Sequence, residues 1–462
     1  MGGKLKKPIK FDFDLLIIGA GSAGCVAAND AASRGKKVGI IEQSQIGGEC
    51  PNITCIPTKA LLETVKLFRK SQNASLFGLS VDTHHLDSKK VQHYKNKIIS
   101  QTGLTAIDSK FSDKNIKLIK GKAFFLNQYQ VEVNYKKFTA KNFLVATGSS
   151  TKVLAIPGLK ELGYLTYTDL SENQNYPSSV CFLGGGAVAY EYSQILTAFG
   201  VKVHIIEQAK HILPEFDTEV SDIAAENLQK LGVKIHNDAK PQGIKIISGQ
   251  KAILFNCHER RYQLLVDEIV VSAGKSPNID LKLENAGIKY DTSGIKINSH
   301  CQTSAHNIFA AGEVAGMHFT AGSAIKEAQV AIHNMYYRKK VRINNYAMPL
   351  VIYGSPELAT TGITESQMKL TGEVYQTAIA PIGILGKSIT TQFSSGFVKL
   401  IANHSGVIIG GSVVGPNASE IINHITFAIK THSKACDIAT TNYSTPSWSE
   451  ALKIVASKIY CI

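Results

Sequence analysis

Long apolar runs are missing from this sequence. No stretch of about 18 apolar residues, the length an α-helix needs to cross a bilayer, occurs in its 462 residues, so no membrane span is expected. Clustered cysteine is missing as well. Eight cysteines are scattered over positions 25, 50, 55, 181, 257, 301, 436 and 461, and only the 50/55 pair is close. Such scatter is not the framework of a secreted, disulfide-stapled domain, and it favours a reducing, cytoplasmic setting. No CxxC of metal-ligand spacing occurs, and no metal site is expected. Acidic residues are also short: 36 Asp and Glu against 50 Lys and Arg leave a formal charge of +14. Residues 1–120 hold 19 basic and 10 acidic residues. An excess of this size raises nucleic acid or an anionic membrane as partner. The lysines from Lys89-Lys90 to Lys120 are instead spread along a polar stretch, which reads as a solvated helical face, so no nucleic-acid partner is expected. The basic start before Leu15-Leu16-Ile17-Ile18 leads into a glycine-rich turn and a second strand, which argues against a targeting segment. Lys6 stands where myristoylation takes Ser or Thr. A chain of this length outgrows one core and implies two to four domains.

What is present begins with Gly47-Gly48-Glu49-Cys50-Pro51-Asn52-Ile53-Thr54-Cys55-Ile56-Pro57-Thr58-Lys59. In a regular helix, cysteines five apart would have Cα atoms roughly 8–9 Å apart, from the ~1.5 Å rise per residue. A disulfide tolerates only about 7 Å. A bridge therefore needs Cys50 just outside the helix, with Pro51 at the first helical position, where its missing N–H costs nothing. Pro57 is expected to disturb the next turn. A bridge at a helix start would be reducible, because the helix dipole favours a thiolate and Lys59 adds positive charge. The alternative at this point is two unpaired buried thiols.

Upstream, Asp14–Ala20 reads as a buried strand, Gly21–Arg34 as a helix and Lys37–Glu42 as a second strand. The turn between the first two is Gly19-Ala20-Gly21-Ser22-Ala23-Gly24, a GxGxxG in the strand-to-helix position of a dinucleotide-binding unit. Gly19 permits the tight turn, Gly21 lets backbone amides approach a pyrophosphate, and Gly24 allows the helix to pack on the strand. Glu42, at the end of the second strand, is placed to accept ribose hydroxyls. The unit recurs further along the chain. Val180–Gly184 is a strand, Gly184-Gly185-Gly186-Ala187-Val188-Ala189 is a GxGxxA turn, and Lys202–Glu207 is the next strand. Glu207 stands as far beyond Gly184 as Glu42 stands beyond Gly19. One such turn is weak evidence; two with matched strands, helices and terminal acids are strong.

These motifs together resemble the FAD-dependent pyridine nucleotide–disulfide oxidoreductases, the group of dihydrolipoyl dehydrogenase, glutathione reductase and mercuric reductase. The resemblance runs from about residue 12 to 458. It includes Ala146-Thr147-Gly148, Ile156-Pro157-Gly158, Ala273-Gly274-Lys275-Ser276-Pro277-Asn278, Phe309-Ala310-Ala311-Gly312-Glu313-Val314 and Ser355-Pro356-Glu357-Leu358-Ala359. It implies an α/β fold of two Rossmann-like dinucleotide-binding domains plus a C-terminal α+β dimerisation domain, working as a homodimer. The implied boundaries are 12–152 and 273–345 for the FAD-binding domain, 153–272 for the NAD(P)-binding domain and 346–462 for dimerisation. Cofactor contacts are implied for Gly19, Gly21, Gly24, Glu42, Lys59, Thr147, Gly148, Gly312, Glu313 and Thr320, and for Gly184, Gly186, Ala189, Glu207 and Gly274. The implied catalytic set is Cys50, Cys55, Lys59, Glu191 and Glu450. By the resemblance, Cys55 lies against the flavin and Cys50 faces the acceptor, while Lys59, near flavin N5, pairs with Glu191. Thr320 opens a helix directed at the flavin pyrimidine. The cofactors are then FAD and NADH. NADPH is disfavoured because Glu207 would repel a 2′-phosphate, an argument that Lys210 and His211 weaken.

Four positions depart from the family pattern. Ala187 stands where glutathione reductases carry a tyrosine gate. Glu313 replaces an aspartate, and Thr54 replaces a glycine before the flavin-side cysteine. The largest departure is Thr445-Pro446-Ser447-Trp448-Ser449-Glu450, where the family's disulfide reductases have His-Pro-x-x-x-Glu. That histidine protonates the leaving thiol, and a threonine hydroxyl does not titrate near neutral pH; losing a general acid typically costs ~10²–10⁴-fold. His424 and His432 read as surface or packing residues, and His318 has no spacing that gives it this role. Cys461 reads as a free tail thiol. The expected function is electron transfer from NAD(P)H through FAD and a Cys50–Cys55 disulfide to a small acceptor: a metal ion, a quinone or another oxidant. Two alternatives are a dihydrolipoyl dehydrogenase with a modified acid–base site and, in another class, a non-catalytic flavin-binding interaction protein.

Overall fold

The computed structural model describes residues 10–82, 85–102, 115–173, 175–316, 320–343 and 347–461. The chain divides into two compact units, one from residues 1–57, 96–150 and 275–344, the other from 58–95, 151–274 and 345–462. The division places 58–95 with the second unit, away from the rest of the 12–152 span suggested by sequence. Side-chain bonds within that unit account for this. On the helix Cys55–Gln72, Arg69 donates to Gln194 O (2.9 Å) and Thr197 Oγ1 (3.1 Å), and Lys66 pairs with Glu357 at 3.2 Å.

In the first unit, parallel strands run in the order Ile116–Lys120, Val38–Glu42, Phe13–Ile18, Lys136–Val145, with Ile308–Ala310 also pairing with Lys136–Val145. Gln130–Val133 and Ala123–Asn127 continue it as antiparallel strands. Phe13–Ile18 is buried on both faces: Leu15 and Ile17 enter one core with the helices Ser22–Ser33 and Ala321–Tyr336, while Phe13, Leu16 and Ile18 enter another with Phe125 and Phe143. Such double coverage explains the continuous apolar run Leu15–Ile18. The strand stops at Ile18 because Gly19 turns out of the sheet at φ +103°.

The second unit repeats the pattern, with parallel strands ordered Lys234–His236, Lys202–Ile206, Ser179–Leu183, Glu268–Val271. The antiparallel strands Ala239–Ile247, Gln250–Cys257 and Arg260–Val266 share a core with it around Leu159, Phe255 and Ile269. A separate antiparallel sheet runs Leu350–Ile352, Glu357–Gly362, Ile408–Gly415, Phe397–Asn403, Tyr375–Pro381, and is covered by the helices Ala418–Thr431 and Glu450–Ala456. Lys399 on this sheet is fully buried among Glu365 (2.6 Å), Glu219 (3.1 Å) and Asp217 (3.2 Å). Burial pulls its pKa down, but the Glu365 hydrogen bond and the Asp217 and Glu219 charges outweigh it and hold the ammonium above its ordinary value. Among the described residues no helix is long and apolar enough to cross a membrane.

Candidate active site

The two glycine turns share one geometry. Cβ atoms added at Gly19 and Gly184 would fall 2.3 Å from Ala146 O and 2.7 Å from Ser272 O, so only glycine lets each turn pass the neighbouring strand. Gly24 meets the same limit, its Cβ falling 1.9 Å from Gly19 O, whereas Ala189, fully buried, is tolerated at the corresponding place in the second copy. Gly21 faces open space and Gly186 nearly so. These two glycines are the N-caps of the 12-residue helices Ser22–Ser33 and Ala187–Ala198, whose first turns carry no acid. A glycine cap leaves the first amides without a side-chain acceptor, and an uncapped helix start with room before it suits a pyrophosphate.

The two acids match as closely. Glu42 accepts from the amides of Ala20 (2.7 Å) and Ser44 (2.7 Å); Glu207 accepts from Gly185 (2.6 Å) and Ala209 (2.7 Å). Each carboxylate thus braces its turn, and its further lone pairs stay available for hydroxyl donors.

In the first unit a polar cluster forms beside Cys50. Lys275 pairs with Glu49 at 2.8 Å and with Glu313 at 3.3 Å, and Ser149 also hydrogen-bonds Glu313. Glu313 opens a 3₁₀ turn after Gly312 (φ +83°), whose amide donates to the buried Glu327 at 2.6 Å. Thr147 Oγ1 donates to Asn278 O at 2.8 Å, and the Asn278 side-chain Nδ2 returns a bond to Thr147 O at 2.9 Å. Gly148 (φ +65°) follows. Thr320 caps the helix Ala321–Tyr336, its hydroxyl accepting from the Ser323 amide at 3.2 Å. His318 lies outside the described residues. Lys275, Ser149 and Glu49 were missed as site residues. The signal was a lone lysine inside the Gly274–Asn278 motif, which reads more readily as a boundary.

The cysteine segment requires two corrections. Cys50 lies outside the helix that carries Cys55, as expected, but Pro51 does not open that helix: both residues belong to a separate one-turn helix, Glu49–Asn52, with Pro51 third. The break falls instead at Ile53 (φ −129°, ψ −44°) and Thr54, and Cys55 opens the helix Cys55–Gln72. Asn52 fixes this break, its side-chain amide donating to Ile46 O (3.0 Å) and Gly48 O (2.8 Å). Pro57 does not disturb the second helix either, because it falls in the first turn, where no i−4 acceptor is lost. The Thr54 hydroxyl lies 3.7 Å from Cys55 Sγ, within hydrogen-bond reach of sulfur.

The second unit holds Lys59 and Glu191. Lys59 Nζ donates to both Glu191 oxygens, at 2.9 and 3.1 Å, and lies 4.7 Å over the Tyr353 ring. Glu191 is buried and also accepts the Tyr353 amide at 2.9 Å. Gly274 adopts φ +91° with open space at its Cβ position. At the C-terminal end, Thr445 Oγ1 donates to Glu450 at 2.7 Å and the Ser447 amide donates to its other oxygen at 2.8 Å. The Ser447 amide first, and Thr445 second, hold the Glu450 carboxyl below its ordinary range. His424 and His432 are exposed. Cys461 is a free thiol, but its tail is held: the sulfur accepts the Cys436 amide at 2.9 Å. Lys95, expected on a solvated face, is buried and donates to Ser171 O, because the helix Ser88–Thr102 turns this residue inward.

Two sheets of this topology, each with a glycine cradle and a bracing acid, followed by an antiparallel sheet domain, define a dinucleotide-linked redox enzyme. Residues 13–334 match the family model described as pyridine nucleotide-disulphide oxidoreductase, and residues 348–456 match that of its dimerisation domain. The chain belongs to this family and is an FAD-dependent NAD(P)H disulfide oxidoreductase with a domain that supports a homodimer. It is 30% identical over 449 residues to mercuric reductase from Staphylococcus aureus, covering 96% of this chain and 82% of that one. With dihydrolipoyl dehydrogenase from Geobacillus stearothermophilus it shares 31% over 446 residues, 95% of this chain and 94% of that one. Among solved structures, the Cu(II) complex of the HOCl-induced flavoprotein disulfide reductase RclA from Escherichia coli superposes with TM-score 0.85 at 26% identity, covering 96% and 99% of the two chains.

Proposed function

We propose that this enzyme takes electrons from NADH, stores them on Cys50 and Cys55, and delivers them to a small oxidant, a thiophilic metal ion or a quinone, in preference to a bulky disulfide. The observation that carries this reading is Thr445, whose hydroxyl donates to Glu450. It stands where related disulfide reductases place a titrating histidine, and it offers no proton-donating group of neutral pKa to a leaving thiol. A metal ion or a quinone requires no thiol to leave. The mercuric reductase relatives and the Cu(II) complex of the solved relative support a metal ion as recipient.

FAD, when bound, supplies hydride acceptance from the nicotinamide and onward transfer of an electron pair. This chain's residues do the rest. Gly21 and the first amides of the helix Ser22–Ser33 would receive one pyrophosphate, and Gly186 with the first amides of Ala187–Ala198 the other, each cradle having an open Cβ position and an uncapped helix start. Gly19, Gly24, Thr147, Gly148, Gly312 and Glu313 shape the FAD side, where Thr320 caps the helix Ala321–Tyr336. Gly184, Ala189 and Gly274 shape the nicotinamide side. Lys59, held by Glu191, presents a fixed positive charge one helical turn beyond Cys55. As two electrons arrive and two protons are taken up, the Cys50–Cys55 S–S bond breaks and two thiols form; as the electrons leave, the bond forms again and the two protons are released. Glu42 and Glu207 accept ribose hydroxyls, and the Glu207 charge selects NADH over NADPH.

The test is anaerobic turnover of NADH against Hg(II), Cu(II), a soluble quinone and lipoamide. The metal ions or the quinone should exceed lipoamide, and Thr445→His should raise lipoamide reduction by at least ~10-fold, since a positioned general acid is worth ~10²–10⁴. Lipoamide as the best acceptor of the wild type, or no gain in Thr445→His, would overturn the reading.

A further inference from the structure

The C-terminal tail carries a second pair of sulfurs. Cys461 Sγ accepts the Cys436 amide at 2.9 Å although the two are 25 residues apart in sequence. The tail is seated rather than loose: Gln376 clips Tyr460 on both sides, accepting its amide at 2.9 Å and donating to its carbonyl at 2.9 Å. Beneath it, Gly406 takes φ +83°, and a Cβ there would lie 2.7 Å from Tyr460 O and 3.3 Å from Cys461 Sγ. The Gly406 carbonyl in turn accepts the Ala435 amide at 2.8 Å, so one tight turn sets both cysteines. Cys461 is exposed and Cys436 half-buried, which leaves the pair open to a small reagent. The segment between them contains Thr445 and Glu450.

We propose that Cys436 and Cys461 form a second dithiol–disulfide couple, distinct from Cys50 and Cys55, that exchanges with low-molecular-weight disulfides and ties the C-terminal tail to the helix Ala435–Thr440. In the first step the Cys461 thiolate attacks one sulfur of the small disulfide, breaking its S–S bond and releasing one small thiol. The Cys436 thiolate then attacks Cys461 Sγ, forming the protein S–S bond and expelling the second small thiol. The two cysteine sulfurs are oxidised, the two reagent sulfurs are reduced, and both thiol protons end on the released thiols. The product closes a loop around the Thr445–Glu450 segment and restrains the unfolded chain.

The experiment treats the FAD-loaded full-length enzyme with glutathione disulfide, blocks remaining thiols with N-ethylmaleimide and maps peptides without reduction. The expected result is a Cys436–Cys461 cross-link within one chain, reversed by dithiothreitol and absent in Cys461→Ser. It should persist in a Cys50→Ser/Cys55→Ser protein, and oxidation should raise the melting temperature of the wild type, by a few degrees, but not that of Cys461→Ser. NADH-dependent turnover of Cys461→Ser should match the wild type. Separate blocking of both cysteines, a lasting glutathione adduct on Cys461, or a Cys461–Cys461 link between subunits would each overturn the proposal. Loss of the cross-link in the Cys50→Ser/Cys55→Ser protein would overturn its independence.

Discussion

Glu207 has both oxygens bound to backbone amides, at 2.6 Å from Gly185 and 2.7 Å from Ala209, which fix its carboxylate in place. Glu207→Gln removes the charge and keeps an acceptor. The ratio of kcat/KM for NADPH to that for NADH should rise roughly tenfold, the equivalent of about 1.4 kcal/mol of repulsion; an unchanged ratio would remove Glu207 from cofactor choice. At this scale much of the site was legible from type and spacing. Glycines at 19, 21 and 24 with an acid at the end of the following strand form a readable pattern, because the turn excludes a Cβ at 19 and 24 and the acid accepts the Ala20 amide. Lys275 was not legible. Its partners Glu49 and Glu313 are 226 and 38 residues away, and no local pattern reports a bond across that distance. Cys436 and Cys461 were hidden for the same reason.

The helix Ala321–Tyr336 carries a pH dependence. Burial raises the Glu327 carboxyl from 4.5 to about 7, against the opposing hydrogen bond from Gly312. The folded protein therefore holds a proton that the unfolded chain has lost between these two values. Stability should fall as pH rises from about 4.5 to about 7 and then level off, by roughly 3 kcal/mol at most. Glu327→Gln stays uncharged, so the wild type should lose stability relative to it over that window, measured by urea denaturation of the FAD-loaded enzyme at a series of pH values. A constant difference would show that Glu327 does not titrate there. Element types followed from periodicity and from turn glycines, while ends and breaks did not. The break at Ile53–Thr54 depends on Asn52 reaching back to Ile46 and Gly48, a tertiary choice that the prolines alone do not announce.

For the whole molecule, the doubled nucleotide unit was visible because its second copy preserves the order and spacing of strand, glycine turn, helix and terminal acid. The grouping of 58–95 with the second unit was not, since it rests on long-range bonds such as Arg69 to Gln194. The dimerisation domain exposes Ile384 (59%) and Ile389 (67%), large apolar side chains close in sequence to each other. Nearby Gly386 approaches Pro446, its Cβ position 3.8 Å from the ring. Ile389→Glu should weaken self-association, read as a fall toward monomer mass by light scattering at low protein concentration; an unchanged dimer would place the interface elsewhere. The central claim is that Cys50 and Cys55 hold the electrons that NADH delivers. The direct measurement is alkylation of the aerobically isolated, FAD-loaded enzyme with iodoacetamide under denaturing, anaerobic conditions, before and after one equivalent of NADH, with each cysteine read by mass spectrometry. Both should be protected before NADH and both alkylated after it, whereas equal labelling of the two before and after would contradict the account.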